Sequence, residues 1–168
     1  MKKTSVPLVI AFTPDYFIPA ATCLYSIITS MQAEGELHVI CLLSEELPER
    51  LKLKIQLIGE GRTCYSFVNL QGKLQHIYID QKYTEAASYR LLLPDLLPEY
   101  KKVIYIDCDI IVRNDLVQLY HSIDLGMNYL AAVFEASMDF QLDHLKTIGC
   151  NPNEYINSGF LIMNLELM

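Results

Sequence analysis

Two short, almost unbroken apolar runs, Val6–Phe12 and Leu37–Leu43, limit what this chain can become. Neither alternates between polar and apolar residues, so neither can lie with one face in water. That is the pattern of a parallel strand buried on both sides. A third strand is predicted over Cys64–Leu70. Helical spacing fills the gaps. Pro19 suits a first helical turn, and Leu24, Ile27, Ile28 and Met31 share one face before Gln32–Glu36 ends the pattern. Ser44 reads as an N-cap with Glu45 and Glu46 in the first turn. Leu47, Leu51, Ile55 and Ile58 then mark a second helix, stopped at Gly59 and Gly61. The β-α-β-α-β order predicts an α/β fold, half of a Rossmann-like, mostly parallel sheet flanked by helices.

The chemistry concentrates in a fourth apolar stretch, Lys102–Val112, which carries Asp107 and Asp109. Asp is costly to desolvate without a partner, and two of them beside apolar residues call for a shared one. A divalent cation, Mn2+ or Mg2+, would take both as hard oxygen donors and leave positions for water and phosphate. The alternative is a surface turn with solvated carboxylates. No G-x-G-x-x-G follows the first strand and no G-x-x-x-x-G-K-S/T occurs, so a glycine loop is not the phosphate device.

Around this stretch, Gly72–Asp80 is less regular and Glu85–Leu93 reads as a short helix closed by Pro94 and Pro98. It carries Arg90 among apolar neighbours, where the guanidinium meets a carboxylate or phosphate, or else reaches solvent over a packed stem. Arg113–Asp115 reads as a polar turn before an amphipathic piece with Leu116, Leu119 and Tyr120. A strand over Asn128–Phe134 ends on Glu135, and Met138–Ile148 has helical spacing. Asn157-Ser158-Gly159 precedes a last strand, Phe160–Asn164, and reads as a close-approach turn or a ligand-facing edge.

Composition narrows the partners. Thirteen basic against 20 acidic residues give a net charge of −7, with no basic cluster, so nucleic acid is not expected as a partner. At 168 residues and 52% apolar content, a single domain over 1–168 with a sizeable core is expected. Five dispersed cysteines, without a C-x-x-C, suggest buried thiols in a reducing compartment. Pro7 and Pro14 interrupt what would otherwise read as a signal peptide, and no run approaches the roughly 18 apolar residues of a membrane helix. A cytoplasmic location is the expectation.

Three blocks, Tyr89-Arg90-Leu91-Leu92-Leu93-Pro94, Ile104–Val112 and Tyr155–Leu165, stand in the order and spacing of the family 8 glycosyltransferases. The resemblance runs from Val9 to the end of the chain. It implies a GT-A fold and a retaining, metal-dependent transfer of a hexose from a UDP-sugar; the family includes bacterial lipopolysaccharide galactosyl- and glucosyltransferases and glycogenin. Carried over residue by residue, it implies that Asp107 and Asp109 hold Mn2+ against the UDP diphosphate, Asp109 more directly. Ala11, Phe12, Thr13, Asp15 and Tyr16 would receive uracil and ribose, with Tyr16 stacking. Arg90 would position the donor sugar, Glu135 and Asn157 would contact it, and Cys108 and Ser158 would complete the donor site. His76 would approach the acceptor, a glycan or lipid-linked glycan. No residue is an evident covalent nucleophile, and a front-face path in which the leaving phosphate deprotonates the acceptor is consistent with that absence.

Thr13-Pro14-Asp15 replaces the acidic or amide residues that many relatives carry there. The family's later acidic motif and its terminal His-x-x-Gly-x-x-Lys-Pro-Trp segment are absent before Met168, so an incomplete enzyme is expected. Its exposed last strand would invite oligomers, and peripheral membrane contact is possible only through other sequence. Two rival readings are a UDP-sugar-binding fragment without turnover and a haloacid-dehalogenase-type phosphatase, whose Asp-x-Asp follows the first strand rather than the fourth.

Overall fold

A computed structural model describes residues 5–76, 84–135, 142–151 and 154–168. The strands are β1 (Val6–Phe12), β2 (Leu37–Leu43), β3 (Thr63–Asn69), β4 (Lys102–Asp107), β5 (Leu130–Phe134) and β6 (Ile156–Asn164). Among the described residues they form one sheet in the order β3-β2-β1-β4-β6-β5. The first four in that order pair in parallel, and β6 runs antiparallel between β4 and β5. The helices are α1 (Phe17–Ser30), α2 (Glu49–Gln56), α3 (Glu85–Ser88), α4 (Leu93–Leu96), α5 (Leu116–Ser122) and α6 (Leu142–Thr147).

The double-sided burial expected of the apolar runs is realised. Every residue of β1 is buried. Its Leu8, Ile10 and Phe12 share one core with Cys23, Leu24 and Ile27 of α1 and Ile55 of α2. Val9 and Ala11 face the other way, into a second core with Tyr89, Leu93 and Leu97. At about 1.5–3 kcal/mol for each large aliphatic side chain removed from water, this two-sided burial outweighs local propensity and holds β1 at the centre.

Several local expectations are corrected. Ser44 caps nothing: α2 begins at Glu49 after Pro48, and the buried Ser44 hydroxyl has no hydrogen-bond partner among the described residues. The segment read as one helix over Glu85–Leu93 is α3, a tight 3-10 turn over Tyr89–Leu92, and then α4, which takes Pro94 in its first turn instead of stopping there. β4 ends at Asp107, the last residue paired with β1, opposite Ala11. Ile110–Val112 are not strand. Val112 instead receives and donates its backbone bonds through α1 hydroxyls, its N–H to Ser26 Oγ at 2.9 Å and its carbonyl from Ser30 Oγ at 3.0 Å. β6 starts at Ile156, so Asn157–Gly159 belong to the strand and not to a turn, and its place between two neighbours leaves it no open edge. Of the helix expected over Met138–Ile148, residues 138–141 lie outside the described residues.

Asp115 does more than the polar turn expected of it. One oxygen caps α5, accepting from Val117 N at 2.8 Å and Gln118 N at 3.0 Å. The other accepts from Gln32 N at 2.6 Å and Ala33 N at 2.5 Å, tying down the chain beyond α1. Burial alone would raise this carboxyl's pKa, but the four backbone N–H groups prevail and hold it below the usual range. Asp115→Ala should cost about 2–3 kcal/mol in urea unfolding at pH 7. A pKa depressed on folding contributes stability above the unfolded value and loses it as pH falls through the folded one. The gap between wild type and Asp115→Ala should therefore narrow as pH drops below about 4.

Candidate active site

β1, β4 and β5 end at the same edge of the sheet, where antiparallel β6 begins. β1 leads toward β2 on one side, while β4 continues the sheet on the other, so a crevice opens between their carboxyl ends. A cleft of about 260 Å3 lies there. Ala11, Phe12, Thr13 and Tyr16 line one side, Tyr105, Asp107, Cys108 and Asp109 the other, with Thr84 and Ala87. Among the described residues that line it there is no Lys, Arg or His.

Asp107 is the wired member of the acidic pair. Arg90 Nη2 donates to its Oδ1 at 2.9 Å, and the Tyr105 hydroxyl reaches the same oxygen at 2.9 Å. Arg90 is itself fixed: its Nε donates to Ala87 O at 2.6 Å, its Nη1 to Ser158 O, and its guanidinium lies 4.3 Å from the centre of the Tyr105 ring. Burial pushes the Tyr105 phenol well above its ordinary pKa, Arg90 opposing and Asp107 reinforcing the shift, so it remains a donor. Asp109, by contrast, is exposed. Gly159 leaves room beside the pair: a Cβ there would lie 2.8 Å from Asp107 Oδ2 and 3.1 Å from Asn157 Oδ1.

Asn157 and Glu135 form a second group at the same edge. A register shift between β5 and β6 brings Val133 opposite Asn157. The Asn157 amide donates to Glu135 Oε2 at 2.8 Å, and its carbonyl accepts from Gly159 N at 2.9 Å. Both groups join through Gly159 and the Ser158 carbonyl.

Most of the expected site residues therefore converge, but not all as expected. Tyr16 stands exposed at the lip of the cleft, in a 3-10 turn. Asp15 is exposed and outside the lining, as is His76. Ser158 contributes its carbonyl to Arg90. The Cys108 side chain packs into the core, and burial with the neighbouring Asp109 and Asp107 pushes its thiol up to about 11, so it stays protonated at neutral pH. Gly159 realises the close approach read from Asn157-Ser158-Gly159, whereas Tyr105, Thr84 and Ala87 were not foreseen. Tyr105 was readable in principle: two residues before Asp107 on a strand, it must share its face.

The model of glycosyl transferase family 8 matches residues 7–168. The chain belongs to that family. General stress protein A of Bacillus subtilis (strain 168) is 25% identical over 170 residues, which cover 99% of this chain and 58% of that protein. The bifunctional glycosyltransferase WbbM, in its apo structure, superposes with a TM-score of 0.83 at 23% identity, over 98% of this chain and 32% of WbbM. The galactosyltransferase LgtC, solved with donor and acceptor sugar analogues, gives 0.79 at 24% identity, over 96% of this chain and 59% of LgtC. The last two likenesses establish a GT-A-type fold. The chain thus spans between about a third and three-fifths of these relatives' lengths. Family membership, with the acidic pair at the end of the fourth strand and not the first, leaves the phosphatase reading without support. Among the described residues no helix is long and apolar enough to cross a membrane.

The close approach at Gly159 has a measurable consequence. Gly159→Ala should displace the Asp107 carboxylate and lower stability by about 1–3 kcal/mol in thermal unfolding, the cost of overpacking.

Proposed function

We propose that residues 1–168 form one nucleotide-sugar-binding domain that serves metal-dependent, retaining transfer of a hexose from a UDP-sugar to a hydroxyl of a glycan or lipopolysaccharide acceptor. The observation that carries this reading is the acidic cleft itself. Asp107 and Asp109 face a space in which the described lining residues include carboxylates and no Lys, Arg or His. A diphosphate can enter such a space only if something positive enters with it.

The donor set fits that role. Among the described residues no group of three or more His, Cys, Asp or Glu side chains could hold a cation unaided. Two hard carboxylates that leave other positions to water and phosphate suit Mn2+ or Mg2+ held jointly with a nucleotide. When bound, the cation would neutralise charge on the departing diphosphate. The chain supplies the rest. Tyr16, exposed at the lip, offers a ring face to the base. Ala11 to Thr13 offer the end of a buried strand against which ribose can rest. Arg90 pairs with one oxygen of Asp107 beside the cleft, and the Asn157–Glu135 pair offers oriented polar groups to sugar hydroxyls. With Glu135 held by an amide, the front-face path, in which the leaving phosphate takes the acceptor's proton, remains the simplest route to retention.

Isothermal titration of UDP tests the reading. UDP should bind in the presence of Mn2+ and not without it, and Asp107→Ala or Asp109→Ala should each weaken binding at least about tenfold, as loss of one charged contact does. UDP binding indifferent to Mn2+, or none in either condition, would overturn it.

A further inference from the structure

We propose that Tyr105 is a positioning residue for the cation: with Arg90, its hydroxyl occupies one oxygen of Asp107 and leaves only the other to a divalent metal. The inference rests on the reading of the cleft as a metal-and-diphosphate site.

Tyr105 lies on β4, fully buried, two residues before Asp107 and on the same face. Its hydroxyl and Arg90 Nη2 both reach Asp107 Oδ1, each at 2.9 Å. An ionised carboxylate oxygen offers about two lone-pair sites, so two donors saturate Oδ1. Oδ2 receives no hydrogen bond among the described residues and lies over Gly159, the position with no Cβ.

This arrangement is not one that Asp107 could keep by itself. The terminal torsion of an aspartate is broad, so its carboxylate plane is set by whatever surrounds it. Arg90, although fixed itself, gives the carboxylate a single hydrogen bond about which its plane could still turn. Tyr105 removes that freedom twice, by donating to the same oxygen and by stacking its ring against the arginine 4.3 Å away. A buried tyrosine hydroxyl needs some partner, and a backbone carbonyl would satisfy it as well. Here it is spent on the carboxylate that faces the cleft.

Tyr105→Phe separates the two contributions, because it keeps the ring under Arg90 and deletes only the donor. Mn2+ would be titrated into the protein at saturating UDP, with the free aqua ion followed by electron paramagnetic resonance. Val103→Ala serves as the control for a merely structural effect, since it opens space on the same face of β4 without touching Asp107. Tyr105→Phe should raise the Mn2+ dissociation constant about tenfold or more, the usual cost of losing a group that orients a ligand. Val103→Ala should lower the thermal midpoint and leave Mn2+ affinity within about twofold of wild type. Wild-type affinity in Tyr105→Phe, or an equal loss in both variants, would overturn the inference and leave the reading of the cleft standing. A wild-type protein that takes up no Mn2+ with UDP would bring down both.

Discussion

A carboxylate at the end of a strand buried on both faces is the constraint around which this structure is arranged. Withdrawing Asp107 from water costs several kcal/mol unless the charge is matched nearby. Arg90 is the match, and its side chain, at 11% exposure, is more deeply buried than the 35%-exposed carboxylate it serves. A buried guanidinium brings demands of its own. They are met by the carbonyls of Ala87 and Ser158 and by the face of Tyr105. One acidic side chain thereby fixes the 3-10 turn between α3 and α4, the start of β6 and the outer end of β4 relative to one another. Gly159 follows from the same geometry, since any side chain there would occupy the space of Oδ2.

The second acidic residue is held by different means. Beyond Asp107 the chain turns and runs back along α1. Cys23 Sγ lies 3.8 Å from Asp107 O, Ser26 and Ser30 bind Val112, and Asp115 binds the backbone past the end of α1. Asp109 sits at the head of this returning segment, exposed and, among the described residues, without a partner of the kind Asp107 has. The two carboxylates are therefore unequal: one is rigid and charge-paired, the other is free to adjust to a ligand. An inequality of that kind lets a site be preorganised on one side and adaptable on the other.

How much of this was legible in the sequence depends on where each residue's partners lie. β1 and β2 were readable because their burial on both faces is written into consecutive residues. The acidic pair was readable because Asp stands out against Ile and Tyr. The end of β4 was not, because Ile110–Val112 are as apolar as any strand and the hydrogen bonds of Val112 go to hydroxyls more than eighty positions away. Asn157–Gly159 misled for the same reason. Polar residues before an apolar run read locally as a turn, yet their partners are Glu135, just past β5, and Arg90, in the 3-10 turn. Ser44 has the residue type of an N-cap, but α2 begins five residues later, and nothing local to Ser44 reveals the delay. Arg90 could be read as needing an anion; which anion was a property of the fold.

The wiring also limits what the second polar group can offer a ligand. An asparagine amide can usually be turned either way, but here the assignment is forced. Glu135 can only accept from it when ionised, and the Gly159 N–H can only donate to it. Asn157 is left with one further N–H and one further lone pair, facing the same edge as Asp107. A group that presents one donor and one acceptor at fixed spacing complements hydroxyls, which donate and accept in turn, better than it complements an anion or an apolar surface. The charged end and the neutral end of this edge are thus chemically distinct, although Gly159 and Ser158 couple them within three residues. A ligand that is anionic at one end and hydroxylated at the other is what such an edge is suited to hold.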